Sequence, residues 1–214
     1  MLDFSFSEEQ LLTQKTIREF AEKELSPFYQ HHDKTETFPI EQWKKMGKLG
    51  LMGSRIPKEY EGNPVDYVTL GIIIKELARG DPNCAYVGAL TIVNEILVDY
   101  ANEKLKKEWL PPVARGEKII VLGVTEPQCG SDVSGMKMKV EIEDDFYILN
   151  GEKSGISFMM DSAAMVTFAM TDPEAKARGV SSFFVPVDNP GVTLQSYKDM
   201  GVKAMRRGSA FLDN

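Results

Sequence analysis

The sequence predicts an α+β chain in which an all-α helical bundle, residues 1–117, is followed by an antiparallel β-sandwich or barrel, residues 118–214. Three observations carry this reading. Up to residue 117 the apolar residues recur at the spacing of helices that face a core. Beyond it they fall in short runs separated by Asp, Asn, Gly and Pro turns, the rhythm of antiparallel strands. The composition supplies enough core for one large or two small domains: 43% of the 214 residues are hydrophobic, with no low-complexity stretch and no internal repeat.

Taken in order, SEEQLLTQKTIREFAEKEL places Leu11, Leu12, Ile17, Phe20, Ala21 and Leu25 at helical spacing. Ser7 and Gln10 have the spacing of a capping box, and Pro27 is expected to close the segment. A second helix begins at Pro39, carries Ile40, Trp43, Met46 and Leu49 on one side, and ends near Gly50. Residues 65–79 and 83–100 read as two more, divided by the breaker Gly80-Asp81-Pro82. Asn102 caps a last helix, EKLKKEWLPPVARG, expected to stop at Pro111-Pro112 and Gly116.

The strands are IIVLGV, MKMKVEIE, FYILNG, AAMVTFAM, SSFFVPV and VTLQSYK. Glu143-Asp144-Asp145 turns one into the next, and Asn150-Gly151 reads as a further turn. MKMKVEIE alternates as a half-buried strand does. SAFLDN forms another strand at the end of the text, which leaves either a bare sheet edge or a surface that a partner covers.

Charge and composition exclude several classes of function. A net charge of -7 and a pI of about 5.0, with no basic run, argue against nucleic acid or an anionic membrane as partner. Two cysteines, Cys84 and Cys129, and two histidines, His31 and His32, supply neither a disulfide framework nor a clustered metal site. There is no signal-peptide or transit-peptide pattern and no run long enough to span a bilayer, so a cytoplasmic, reducing location is expected.

The stretch Thr125-Glu126-Pro127-Gln128-Cys129-Gly130-Ser131-Asp132 carries the chemistry. Thr125 and Ser131 supply hydroxyls, Gly130 lets a ligand approach the backbone, and consecutive N–H groups suit an anion such as a diphosphate. An ordinary Pro-Gly turn, with Asp132 bonding its own backbone, accounts for the same residues. On this stretch alone both readings stand.

In context, MGKLGLMGSRIPKEYEG and KELARGDP, then GEKIIVLGVTEPQCGSDVSGMKMKVE, YILNGEKSGIS and SSFFVPVDNPGVTL, resemble the acyl-CoA dehydrogenase flavoprotein family. The likeness follows the family's order and spacing over essentially the whole chain, and the Thr-Glu-Pro…Gly-Ser-Asp block is its most specific part. It implies a non-covalent FAD. Backbone groups at Leu122 and Val124 and the Thr125 hydroxyl would contact the pyrimidine side of the flavin. Gly130 and Ser131 would lie where the diphosphate and the acyl thioester come close, so Ser131 is assigned to both cofactor and substrate. Gly155, Ile156 and Ser157 form the second cofactor segment, with the Ser157 hydroxyl bonded to flavin N5. Lys176 and Arg178 either reach coenzyme A phosphates or stand as solvated loop charges. Glu126 and Asp132 are read as turn-fixing acids, and Phe158-Met159-Met160 as core or pocket lining.

Three departures from the family pattern stand out. Gly155 occupies the place of a usual tryptophan, which opens space beside the ring for an unusual acyl group or a side chain from elsewhere. Lys75-Glu76 and Tyr60-Glu61-Gly62 read as surface or turn variation.

The implied reaction is α,β-desaturation of an acyl-CoA, in which a carboxylate takes the α proton and the β hydrogen leaves as hydride to N5. That base belongs to the family's C-terminal helical domain, so the chain reads as truncated and no residue is assigned to the role. The likeness also implies an electron-transfer flavoprotein as acceptor and a homotetramer in the full-length form. An acyl-CoA oxidase or flavin monooxygenase on the same scaffold, or a non-catalytic partner subunit, are the alternatives.

Overall fold

Ser7 opens the first helix by the reciprocal bonds its spacing predicts: its Oγ accepts from Gln10 N–H at 3.2 Å, and Gln10 Oε1 accepts from Ser7 N–H at 3.1 Å. The structure is a computed structural model that describes residues 4–144 and 146–213. The chain divides into two units, Met1–Lys118 with Gly201–Ala204, and Ile119–Met200 with Met205–Asn214.

The first unit is helical: α1 Glu8–Phe20, α2 Ser26–Thr35, α3 Ile40–Lys48, α4 Tyr67–Gly80, α5 Pro82–Ala85, α6 Val87–Tyr100 and α7 Glu103–Ala114. Its core includes Leu25, Trp43, Met46, Ile56, Leu77 and Leu110, all fully buried. Three prolines expected to end helices, at two places in the chain, do not. Between α1 and α2 the helix widens into a π segment, Ala21–Leu25, whose longer hydrogen bonds carry the chain past the N–H that Pro27 lacks. α7 runs through Pro111 and Pro112, whose carbonyls accept from Arg115, Glu117 and Lys118 N–H groups at 2.8–3.3 Å and finish the helix there. In α3, Trp43 and Met46 are buried as their spacing predicts, whereas Ile40 and Leu49 at its two ends are 46% and 43% exposed. The break between α4 and α5 is Asp81, whose carboxylate accepts from Asn83 N–H and Nδ2 at 2.8 Å.

Lys75 is a surface residue, but the Glu76 beside it is wholly buried. Its carboxylate takes both forks of Arg18 at 2.9 Å, with Lys75 at 3.0 Å and Arg79 at 3.5 Å. Glu61 stands in left-handed backbone, φ 63°, and pairs with Arg115 at 2.6 Å.

The second unit is a curled seven-stranded sheet: β1 Ile120–Gly123, β2 Lys139–Glu143, β3 Phe146–Ile156, β4 Ala164–Met170, β5 Val180–Pro186, β6 Val192–Ser196 and β7 Gly208–Leu212. Strand order is β1-β4-β2-β3-β7-β6, with β5 also on β4. Most ladders are antiparallel, but β4 runs parallel to β1 and touches β2 in parallel at Lys139–Met170. Fully buried Ala164, Met165 and Ala169 on β4 reflect this central place.

The predicted turn at Asn150-Gly151 is absent, because β3 continues through it to Ile156. Gly151 serves close packing instead: a Cβ there would press on Met138 at 3.2–3.3 Å. Alternation in MKMKVEIE buries Met136 and Met138, then ends with Ile142 71% exposed near the β2–β3 hairpin. In that hairpin Asp144 is in left-handed backbone, while Asp145 lies outside the described residues. The last strand is no bare edge, since β7 lies between β3 and β6.

Charge pairing holds the Glu76 carboxyl at about 2 against an ordinary 4.5, with the Arg18 hydrogen bonds as the main cause. A depressed acid stabilises the fold fully above its unfolded pKa and loses that contribution as pH falls through the folded value. Glu76→Gln is therefore expected to lower the urea midpoint at neutral pH, with the gap to wild type closing between pH 4.5 and about 2. A gap unchanged over that window would show that the ion cluster contributes nothing.

Candidate cofactor site

The site is built where the loop after β1 meets the end of β3. Backbone bonding is direct, with Ser154 N–H donating to Thr125 C=O at 2.8 Å. Thr167 Oγ1 on β4 donates to Gly123 C=O at 2.8 Å and fixes the end of β1. Glu126 and Cys129 close a tight turn through paired backbone bonds of 3.0 and 3.1 Å, with Pro127 and Gln128 at the corner.

Glu126 is the hub beneath this loop. Its carboxylate accepts from Lys153 Nζ at 2.8 Å, Lys137 N–H at 2.7 Å, Met138 N–H at 3.0 Å and Gln128 Nε2. Lys153 is completely buried, and its other partner is the Val124 carbonyl at 3.2 Å. Burial pushes the Glu126 carboxyl up, but the lysine and the two backbone donors outweigh it and hold the group below its ordinary value. For Lys153 burial wins, so the ammonium is pushed down despite its pairing with Glu126. The asymmetry is one of partners: the carboxylate has four donors, while the ammonium has two acceptors. Asp132 is occupied more locally, accepting from Ser134 N–H at 3.1 Å and Oγ at 2.5 Å. Both acids near the loop are thus committed to scaffold.

The hydroxyls are not. Among the described residues, Thr125 Oγ1, Ser131 Oγ and Ser157 Oγ make no hydrogen bond, nor do the N–H groups of Thr125, Gly130 and Ser131. Thr125, Gly130 and Ser131 are exposed, while Leu122, Val124, Gly155 and Ser157 are half-buried and Ile156 is buried. A Cβ at Gly130 would meet nothing within 4 Å, so neither crowding nor backbone angle demands glycine there.

The Gly155–Ser157 segment owes its course to a register shift in the β3–β7 ladder between Lys153 and Ile156. Gly155 has φ 68°, which side-chain-bearing residues seldom adopt. Its N–H donates to Tyr197 Oη at 3.1 Å, Tyr197 Oη lies 2.7 Å from Ser209 Oγ, and Ser209 Oγ donates to Glu152 Oε1 at 2.8 Å. The carboxylate can only accept, so every donor points the same way, from the bulge through Tyr197 and Ser209 to Glu152. After Ser157, buried Phe158 donates its N–H to Met205 C=O at 3.0 Å, and Arg206 pairs with Asp161 at 2.6 Å. Phe158 and Met159 are core rather than lining.

A groove of about 730 Å³ lies alongside, with Ser134, Lys137, Lys139 and Lys176 over a floor that includes Met136, Met138 and Met170. Lys176 joins it; Arg178 and Ser131 are exposed but do not line it. Among the described residues no group of acids, cysteines and histidines could hold a metal ion, and no helix is long and apolar enough to cross a membrane.

The sequence pattern of the acyl-CoA dehydrogenase N-terminal domain matches residues 7–117, and that of the acyl-CoA dehydrogenase middle domain matches residues 121–214. The chain belongs to the acyl-CoA dehydrogenase family. A short-chain specific acyl-CoA dehydrogenase of Rattus norvegicus mitochondria is 36% identical over 199 residues, covering 90% of this chain and 48% of the relative. The structure of a glutaryl-coenzyme A dehydrogenase complexed with glutaryl-CoA superimposes with a TM-score of 0.93 at 34% identity, covering 100% of this chain and 55% of that one. A glutaryl-CoA dehydrogenase from Mycobacterium smegmatis in complex with FADH2 gives 0.88 at 27% identity, over 98% and 53%. The chain spans about half the length of these acyl-CoA dehydrogenases.

Sequence reasoning missed Lys153 as the partner of Glu126, and it missed Tyr197, Ser209 and Glu152 entirely. Lys153 alone left a signal, a lysine in an otherwise half-buried strand. Tyr197 lies 42 residues from the N–H it accepts, and no periodicity reports that distance.

Removing one partner of a buried ion pair leaves the other charge stranded, a loss of about 3–5 kcal/mol. Glu126→Gln and Lys153→Met are each expected to destabilise the second unit by about that much, and the double variant by clearly less than the sum. Denaturant unfolding of the four proteins measures the coupling; strict additivity would mean the pair does not act as one.

Proposed function

We propose that this chain is the flavin-binding part of an FAD-dependent acyl-CoA dehydrogenase that desaturates an acyl-CoA thioester at its α,β bond. The observation that carries the reading is the meeting of two segments in which, among the described residues, the hydroxyls of Thr125, Ser131 and Ser157 and the N–H groups of Thr125, Gly130 and Ser131 are unengaged, while Glu126 and Asp132 are already bonded. Such a surface has spare donors and no spare negative charge. It suits a ligand rich in carbonyl, ring-nitrogen and phosphate acceptors.

Thr125, with backbone groups of Leu122 and Val124, would hold the pyrimidine side of FAD. Gly130 and Ser131 would take its diphosphate, where the absence of a side chain at 130 lets phosphate oxygens approach the N–H groups. Gly155, Ile156 and Ser157 form the second wall, with the Ser157 hydroxyl as the donor to N5. When bound, FAD supplies the hydride acceptor. The protein's part in this unit is to position, which explains the bonding invested in the loop and the bulge. No residue here is assigned as the base. The acid that takes the α proton has to face the flavin across the substrate, and Glu126 and Asp132 are already occupied.

Ser131 is given a second role beside the thioester, and Lys176 a role toward coenzyme A phosphates. Lys137 and Lys139 in the same groove add positive charge, which supports that reading for Lys176 more than for Arg178. An electron-transfer flavoprotein as acceptor, a homo-oligomer, probed by mass photometry, and a cytoplasmic location complete the proposal.

Losing one neutral hydrogen bond to a bound ligand weakens binding by about tenfold. Thr125→Ala and Ser157→Ala are expected to raise the FAD dissociation constant by about that factor each, read from flavin fluorescence during equilibrium titration. Wild-type affinity in both would remove the two hydroxyls from the cofactor site.

A further inference from the structure

Position 155 has no side chain, and another part of the same unit borders the space. A Cβ at Gly155 would meet one atom within 4 Å, Arg207 Nη2 at 3.5 Å. The guanidinium therefore lies in contact with the place where a side chain leaving residue 155 would begin. Arg207 immediately precedes β7. Its Nη1 donates to Asp199 Oδ1 at 3.2 Å, and its guanidinium carbon is 5.9 Å from the centre of the Tyr197 ring, the same tyrosine that accepts from Gly155 N–H. Among the described residues Asp199 is the only hydrogen-bond partner of the Arg207 side chain, so Nε and Nη2 are unengaged. The side chain keeps 35% of its accessible surface. The bulge that presents Ser157 thus carries a planar cation, tethered on one side and open on the other.

We propose that Arg207 is the group this protein sets beside the flavin ring in place of a side chain from residue 155, and that it favours the reduced ring over the oxidised one. This rests on the FAD reading above. A guanidinium stacks on aromatic faces and keeps its charge there. Taking up two electrons and one proton gives the neutral ring one negative charge. A cation a few ångströms away stabilises that form and leaves the neutral form nearly unaffected. An apolar wall would make no such distinction. By linkage, the ratio of affinities for the two forms of the cofactor is also the displacement of its midpoint potential. Asp199 holds the guanidinium in place and moderates its charge. Gly155 and Arg207 are then one feature: any other residue at 155 would be strained at φ 68°, and its Cβ would lie in van der Waals contact with Nη2.

The test compares the FAD-loaded wild-type protein with Arg207→Gln and Arg207→Lys. In each, the midpoint potential is measured by equilibration with a reference dye, and FAD affinity by titration. Arg207→Gln is expected to move the potential to more negative values, weakening reduced relative to oxidised FAD by about tenfold, the size of a partly desolvated cation–π contact. Arg207→Lys, which keeps the charge, should retain most of the wild-type potential. A wild-type potential in Arg207→Gln, or an equal fall in both variants, overturns the assignment. Wild-type protein that binds no FAD would sink the flavin reading, and this inference with it; FAD that binds but ignores residue 207 sinks this inference alone.

Discussion

Glu126 and Lys153 meet where water does not reach, and the course of the chain on both sides of the site follows from that contact. A buried carboxylate and ammonium tolerate very little displacement, because each ångström of separation exposes a desolvated charge to an apolar surround. The loop from Val124 to Met138 is therefore fixed to β3 by Lys153, beside the Ser154–Thr125 backbone bond, while Lys137 and Met138 N–H groups bring the loop's far end to the same carboxylate. A change of parity follows along β3. Strict alternation from an inward Lys153 would turn residues 155 and 157 inward as well. One extra residue in the ladder lets Lys153 and Ile156 both face the core, and Ser157 comes to the surface half-exposed.

The two acids of the Thr-Glu-Pro…Gly-Ser-Asp block show how an acid's partners separate scaffold from chemistry. A carboxylate that already accepts from four donors has no lone pair left for a substrate proton, and its depressed pKa makes it a poor base besides. Asp132 is held more locally, with one carboxylate oxygen accepting from the Ser134 N–H and hydroxyl. The informative groups are the small ones around them, which make no hydrogen bond among the described residues. The helical unit has its own case in Glu76, whose carboxylate is surrounded by Arg18, Lys75 and Arg79 and serves cohesion alone.

Most of the architecture was legible because it is written in local periods. Helical spacing located α1, α3, α4, α6 and α7, and short apolar runs located the seven strands. The errors fall where a local rule met a tertiary or backbone accommodation. Pro27 is carried by a widened turn, Pro111 and Pro112 sit close enough to a helix end that little bonding is lost, and Asn150-Gly151 is drawn straight by its packing on Met138. At the site, the loop and the Ser157 segment were legible through their residue types. The network that shapes them was not, since Tyr197, Ser209 and Arg207 reach Gly155 only through the pairing of β7 with β3 and β6. Gly155 itself could be seen as a gap, but nothing in the text says that an arginine fifty-odd residues later borders it.

The interior place of β7 has a consequence for how the second unit comes into being. Gly151 pairs with Leu212 and Ile156 with Gly208, so the bulge cannot take its final shape until the chain has been made almost to residue 212. During synthesis β2, β3, β4 and β5 can already pair with near neighbours, while the edge of β3 beyond Gly151 stays open. Closure then arrives late and all at once, in a contact of long sequence separation that is slow to find. Until that moment the second wall of the site lacks the partner that shapes it, and the edge of β3 beyond Gly151 is an unpaired strand edge of the kind that makes incomplete chains prone to aggregate.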